Sequence, residues 1–451
     1  MKKITALIFA FAILFMGGCS DSITGDSNII RPPSPTGDKA VIQDVLTETA
    51  GGDFVLKYPQ NGEYTSAIIM MDITGSGEED AIALYVPSDS TDGINVSFIS
   101  EVDGEWQSIG DFTLSADSID RVAFADVNND GIEEILIGTA RTNSTLNGLT
   151  AYTYEKGVMR EMVIDETYNS LCVADLTGDG GDDIILLSLA VNDEAASAKL
   201  LQYSENEMRP ISMAFVEMDS DIIKYTNVKS GYLSDGVCAV FVDGEKNGGV
   251  YTTEVIYYSE DSATLLNPLY SSGQDNINQT TRNSVDDTAI VSQDIDNDGC
   301  TEIPVITEMP AQTDEDASCV ASLISWKELS STDGILTSKL NTVYNSTGSY
   351  YFAIPDRWSG NITARTESGS LIFYFWLDQK SSMGDRLLTI SVFDSEDWES
   401  GSHDGFIKIS ESGDKVYAAD IAETAVEAAD GSAMQISKSE VTDGLLLAAS
   451  S

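Results

Sequence analysis

The chain has 451 residues and a formal charge of −50, with 74 Asp and Glu against 24 Lys and Arg. A field of that sign repels phosphate backbones and anionic head groups, which excludes nucleic acid as the expected partner. Because 42% of the residues are hydrophobic, a disordered acidic chain is excluded too, since that much apolar side chain builds a core. The length predicts two or three domains unless one repeat architecture absorbs it.

At the N-terminus, Lys2 and Lys3 precede the apolar run from Ile4 to Met16, which is followed by Gly17, Gly18 and Cys19. The run is too short to cross a bilayer comfortably and reads as an export signal over residues 1–18. MGGC resembles the lipobox of bacterial lipoproteins. That resemblance implies that Cys19 is lipidated, becomes the mature N-terminus and anchors an extracytoplasmic protein to the bacterial cell membrane. Residues 19–39, rich in Ser, Gly, Pro and Asp, read as a flexible tether.

Beyond the tether an acidic motif recurs. MMDITGSGEEDAIALYV begins at Met70, FADVNNDGIEEILIG at Phe124, VADLTGDGGDDIILLS at Val173 and SQDIDNDGCTEIPVIT at Ser292. Each is an apolar strand end, a D-x-[NTD]-x-[DS]-G-x-x-[DE] turn, and a second apolar strand. Three carboxylates as close as Asp126, Asp130 and Glu134 repel one another unless a cation sits among them. Two weaker copies surround Gly236 and Gly360, so the anchors Gly77, Gly131, Gly180, Gly236, Gly299 and Gly360 recur every 49 to 63 residues. Such a period suits a four-stranded unit. Within the first two units, Asp103–Gly104 and Lys156–Gly157 predict hairpins.

Tandem four-stranded antiparallel sheets predict an all-β fold, a β-propeller over residues 40–430. Seven blades are expected, with six and eight as alternatives, and a blade shared between the chain ends would lock the ring. In the tail, 431–451, Ser437-x-x-Glu440 predicts a capping box opening a short helix.

The four strong motifs resemble FG-GAP or VCBS repeats, the calcium-loop blades of integrin α-subunit heads and of many bacterial surface proteins. The resemblance spans residues 60–310 well and reaches about 420 weakly. It implies three to four structural Ca²⁺ sites, with side-chain oxygens at loop positions 1, 3, 5 and 9, a carbonyl at 7 and a glycine bend at 6. The implied sets are Asp72, Thr74, Ser76, the Glu78 carbonyl and Asp80; Asp126, Asn128, Asp130, the Ile132 carbonyl and Glu134; Asp175, Thr177, Asp179, the Gly181 carbonyl and Asp183; and Asp294, Asp296, Asp298, the Cys300 carbonyl and Glu302. Ser76 replaces the usual acid in the first. An EF-hand is ruled out, because its twelfth position holds Ala83, Ile137, Leu186 and Val305 within strands. An ion-free Asx-rich turn is the competing reading. The Gly236 copy has Gly231 and Ala239, and the Gly360 copy Pro355 and Thr363, where acids belong; neither is expected to bind metal.

Evidence for catalysis is thin. The one histidine, His403, stands in a polar loop without a G-x-S-x-G elbow. Four cysteines beyond Cys19, namely Cys172, Cys238, Cys300 and Cys319, read as buried thiols, with a Cys300–Cys319 disulfide left open. An aromatic-rich stretch holds Tyr350, Tyr351, Phe352, Trp358, Phe373, Tyr374, Phe375 and Trp376. Core packing competes there with a ligand platform, for which Trp358 is the expected exposed residue. The expected function is binding or scaffolding of a protein or glycan ligand. The alternative is a polysaccharide-active enzyme, lyase-like, on the same scaffold.

Overall fold

Between the acidic turns the chain carries short, continuous apolar runs such as Ala81–Tyr85 and Ile184–Leu187, the pattern of strands covered on both faces. The computed structural model describes residues 38–90, 93–271, 277–311, 320–377, 381–423 and 426–448. It is all-β and propeller-like, with antiparallel sheets of four or five strands succeeding one another along the chain. The expected signal, Cys19 and most of the tether lie outside the described residues.

The second and third sheets are simple meanders. They comprise Ser118–Ala125, Glu134–Ala140, Asn147–Glu155 and Val158–Tyr168, then Ser170–Ala174, Asp183–Ser188, Ser197–Ser204 and Arg209–Glu217. In the first sheet the edge of Asp80–Pro87 is covered in two pieces, Phe54–Leu56 and Ile68–Met71. The fourth runs from Ile222–Tyr232 through Cys238–Lys246 and Val250–Ser259 to Thr264–Leu266, with Arg282–Asn283 added beside Val250. Both expected hairpins form, with Asp103, Gly104, Lys156 and Gly157 all at positive φ, as a tight two-residue turn requires.

Consecutive sheets are joined by buried side chains from facing sides. Ile82 and Phe98 meet Ile135 and Tyr152. Leu136 and Met162 meet Ile184 and Leu201. Ile185 and Leu200 meet Val240 and Ile256. Phe241 and Val255 meet Ile303 and Leu329, and Val343 and Phe352 meet Phe373 and Ile390. Burial at about 25 cal/mol per Å² of apolar surface makes these interfaces the main stabilising term.

Among the described residues there are six sheets of four or five strands and one two-stranded pair, Tyr270–Ser271 with Ile277–Asn278. The sequence led us to expect seven blades. The shared blade is corrected. The Ser437–Glu440 capping box forms, opening the helix Lys438–Asp443. The chain then returns as Leu445–Leu447 to pair with Tyr350–Ala353 of the fifth sheet, not with the first. An open strand edge so close to the helix end offers unpaired backbone groups, and the nearest chain takes them.

Residues 38–49 hold a surprise, since the sequence placed 38 and 39 in the tether and 40–49 in the propeller. Asp38–Thr49 is a helix whose Ile42 and Leu46, one turn apart on the same face, are fully buried against Ala81, Tyr85 and Ile99 of the first sheet. The Gly360 copy is not a turn between paired strands. Tyr350–Ala353 stays in the fifth sheet while Ile362–Glu367 opens the sixth, and a 3₁₀ turn, Asp356–Trp358, crosses between them.

Candidate metal centres

The first three strong motifs each link two paired strands, the fourth is closed by the isolated bridge Gln293–Glu302 ahead of Ile303–Glu308, and the four loops share one hydrogen-bond scheme. The position-1 aspartate accepts backbone N–H groups from within its own loop: Ser76 and Gly77 on Asp72, Asp130 and Gly131 on Asp126, Gly178 and Gly180 on Asp175, Asp298 and Gly299 on Asp294. The position-9 acid accepts the N–H of position 2. Ile73 donates to Asp80 at 3.1 Å, Val127 to Glu134 at 3.0 Å, Leu176 to Asp183 at 2.9 Å and Ile295 to Glu302 at 3.0 Å. Position 5 accepts from position 7, as Ser76 does from Glu78, Asp130 from Ile132, Asp179 from Gly181 and Asp298 from Cys300. These bonds curl each loop around its position-1 aspartate.

The bend needs left-handed backbone at two positions. Gly77, Gly131, Gly180 and Gly299 have φ between 85° and 94°. At position 4, Gly75, Asn129, Gly178 and Asn297 have φ between 56° and 73°, which only Gly, Asn or Asp adopt at low cost. The restriction of position 4 to Gly or Asn is a further signal of this turn in the sequence. The first three loops abut: Asp126 N donates to Asp182 Oδ2 at 2.9 Å and Asp182 N to the Asp126 carbonyl at 2.9 Å, while a Cβ on Gly75 would meet Ile132 at 2.9 Å. Asp182 thus serves as a brace between loops.

Polar satisfaction separates the four. The position-9 acids are all buried, but three are well supplied with protein donors. Thr74 Oγ1 reaches Asp80 at 2.9 Å, Asn128 and Thr153 reach Glu134 at 2.8 and 2.9 Å, and Thr177 reaches Asp183 at 3.1 Å. The fourth loop differs. Asp294, Asp296 and Glu302 bring carboxylate oxygens within 4.8 Å of one another, and Asp296 Oδ1 and Glu302 Oε1 are buried without any hydrogen-bond partner. Buried unpaired carboxylate oxygens are costly, and an all-oxygen donor set of this kind fits a hard divalent cation. Lys339 approaches from a neighbouring strand, with Nζ 2.7 Å from Glu328 and 3.8 Å from Asp296, and it also pairs with Asp298.

The electrostatics follow. Burial pushes the Glu134 and Glu302 carboxyls up to about 7, with neighbouring aspartates adding to the shift. Burial also raises Asp183 and Asp296, the latter aided by Asp298. Asp298 is held below the usual range by the hydrogen bond from Lys339. Of the four sets, only the fourth keeps buried oxygens without a hydrogen-bond partner, among the described residues.

Trp358 corrects an expectation. Its ring is fully buried against Phe373, and Nε1 donates to the Met434 carbonyl at 2.9 Å. It cannot be a surface platform, because the chain after Gly431 folds over it. Tyr350, Phe352 and Phe373 are likewise core. Lacking its acids, the turn at 355–363 is held by Arg357, which donates to Glu440 at 2.6 Å, to the Gln435 carbonyl at 2.7 Å and to the Ala433 carbonyl at 3.1 Å. Gly231 in the other weak copy stands where a Cβ would lie 2.2 Å from Thr301 Oγ1. His403 stacks on Trp398 with ring centroids 4.6 Å apart. Cys172, Cys238 and Cys300 are free thiols, and Cys319 lies outside the described residues.

No protein-family model and no curated protein matches the chain. Among solved structures it is similar to a protein from Bacteroides fragilis provisionally named a 6-phosphogluconolactonase, with 11% identity, a TM-score of 0.32, and coverage of 74% of this chain and 92% of that one. It is similar also to a periplasmic gluconolactonase of Pseudomonas aeruginosa, with 10% identity, a TM-score of 0.32, and coverage of 74% and 95%. At such values the likeness carries no statement about chemistry, and the fold class rests on the sheets described above.

Proposed function

We propose that this chain is a calcium-stabilised, propeller-like binding or scaffold module for a protein or glycan ligand, held at the outer side of a bacterial membrane by lipid on Cys19. The observation that carries the calcium reading is the pair of buried, unpartnered oxygens in the fourth loop, Asp296 Oδ1 and Glu302 Oε1. The shared bonding scheme of the four loops extends it to three or four sites. Bound Ca²⁺ supplies the positive charge that these acids lack, while the loop amides hold the carboxylates in place beforehand. A site filled at about 100 times its dissociation constant adds about 2.7 kcal/mol to the folded state. Several such sites would rival the roughly 5–15 kcal/mol that stabilises a typical domain.

The test is a bound-metal count and a melting curve on the mature protein before and after chelation. Three or four ions per chain and a fall in Tm on chelation are expected; no bound ion and an unchanged Tm would refute the reading. For the anchor, Cys19→Ser should move the protein from the detergent phase to the aqueous phase on phase separation. Retention of the variant in the detergent phase would remove lipidation from the account.

A further inference from the structure

A groove of about 1080 Å³ lies between the third and fourth sheets, beside the third acidic loop. It sits where the fourth sheet has lost its own acidic loop. There Gly231 pairs with Ala239 and Tyr232 with Cys238, so the strand ladder runs into what is open loop in the neighbouring units. The turn left over is short and closed by its own bonds, Leu233 N to the Val237 carbonyl at 2.9 Å and Gly236 N to the Leu233 carbonyl at 2.8 Å. A shortened hairpin beside a full-length loop leaves a recess.

The recess is lined by three tyrosines, Tyr232, Tyr257 and Tyr258, by the acidic residues Asp175, Asp182, Glu260 and Asp261, and by Ser259 among other hydroxyl residues. Tyr232 is 54% exposed, a large ring left in water at the edge of a concave surface. Tyrosine rings offer a flat apolar face with a polar tip, and carboxylates accept hydrogen bonds from paired hydroxyls. The carboxylates repel phosphate, sulfate and uronate groups. We propose that this groove binds a neutral oligosaccharide, whose pyranose faces stack on Tyr232 and Tyr258 and whose hydroxyls donate to Glu260 and Asp261. The volume lies just above that of ordinary small-molecule pockets, about 300–1,000 Å³, which suits several linked sugar units. The proposal rests on the reading of this chain as a binding module and names the site and ligand class.

The experiment is titration calorimetry of the calcium-loaded mature protein. The probes are neutral hexasaccharides of β-1,4-glucan, β-1,4-xylan, β-1,4-mannan and α-1,4-glucan, together with an oligogalacturonate and an octalysine peptide. Saturable one-to-one binding of at least one neutral probe is expected, weakened at least tenfold by Tyr232→Ala and by the pair Glu260→Gln and Asp261→Asn. These positions are exposed or at the groove rim, so the Tm should not move. The proposal is overturned if no neutral probe binds, if binding survives both variants, or if octalysine alone competes for the site. The effect of chelation on Tm is read separately, so loss of the sugar proposal and loss of the calcium reading give different results.

Discussion

Replacing Lys339 with methionine separates a metal site from an acidic turn stabilised by a lysine. With Nζ 3.8 Å from Asp296 and paired with Asp298, the ammonium stands where a cation bound to those carboxylates would be on the order of 5 Å away. At an effective dielectric of about 20, a divalent ion and an ammonium at that distance repel by about 7 kcal/mol. The lysine does not remain to bear that. It pivots toward Glu328, already 2.7 Å away, and at about 8–10 Å in a watery environment the residual repulsion is about 1 kcal/mol. Methionine keeps the length of the apolar stem and removes the charge, so calcium affinity at the fourth loop should rise about five- to tenfold. The metal-free protein should respond in the opposite sense, because Asp296 and Asp298 lose their only nearby ammonium among the described residues. The assay is calcium titration calorimetry, paired with melting curves in excess calcium and in chelator. Lys199→Met, which disturbs only the ion pair with Glu166, is the control. If Lys339→Met left calcium affinity unchanged or lowered it, while Asp294→Asn still removed one bound ion, the placement of the site would be wrong.

Other outcomes follow from buried charge and packing. In the calcium-free protein the raised Glu134 and Glu302 carboxyls favour folding most below their unfolded pKa, and that contribution is lost as pH rises through about 7. Tm in chelator should therefore fall from about pH 5 to about pH 8, and the rise on adding calcium should be larger at the higher pH; a calcium effect independent of pH would contradict this. On the acid side, the Arg357 hydrogen bond holds Glu440 down to about 2. Its contribution is present above the unfolded value and lost as pH falls toward 2, so Arg357→Met should flatten the acid limb of the stability curve. Arg282, fully buried with Nη2 2.9 Å from Asp243, should cost about 3–5 kcal/mol when changed to methionine, because Asp243 is then left charged in the core; chemical denaturation reads it. Trp358→Ala should cost about 3–5 kcal/mol by the same measurement and leave oligosaccharide affinity unchanged, as befits a core residue.

Much of this architecture is written locally. A turn such as Asp126–Glu134 is specified by its own residues: the aspartate that collects amide hydrogens, Gly or Asn where φ is positive, and a strand former on each side. The paired hairpin residues Asp103–Gly104 and Lys156–Gly157, and the Ser437–Glu440 cap, likewise need only near neighbours. For that reason the repeat, the all-β class and the four loops were legible before any coordinates. The helix at Asp38–Thr49 was not, because its moderate amphipathic pattern acquires meaning only when Ile42 and Leu46 find Ala81 and Tyr85 on the first sheet.

Residue type and spacing alone established where the acid clusters lie, what backbone they require and that a strongly anionic chain would favour cations over phosphates. Tertiary structure alone decided which cluster keeps unsatisfied oxygens, since the donor Thr153 and the competing Lys339 come from other strands. It also decided that Trp358 is core and that the last strand closes the fifth sheet instead of the first. Those outcomes depend on which surfaces meet, and a side chain's hydrogen-bond partners and burial are properties of the meeting, not of the residue.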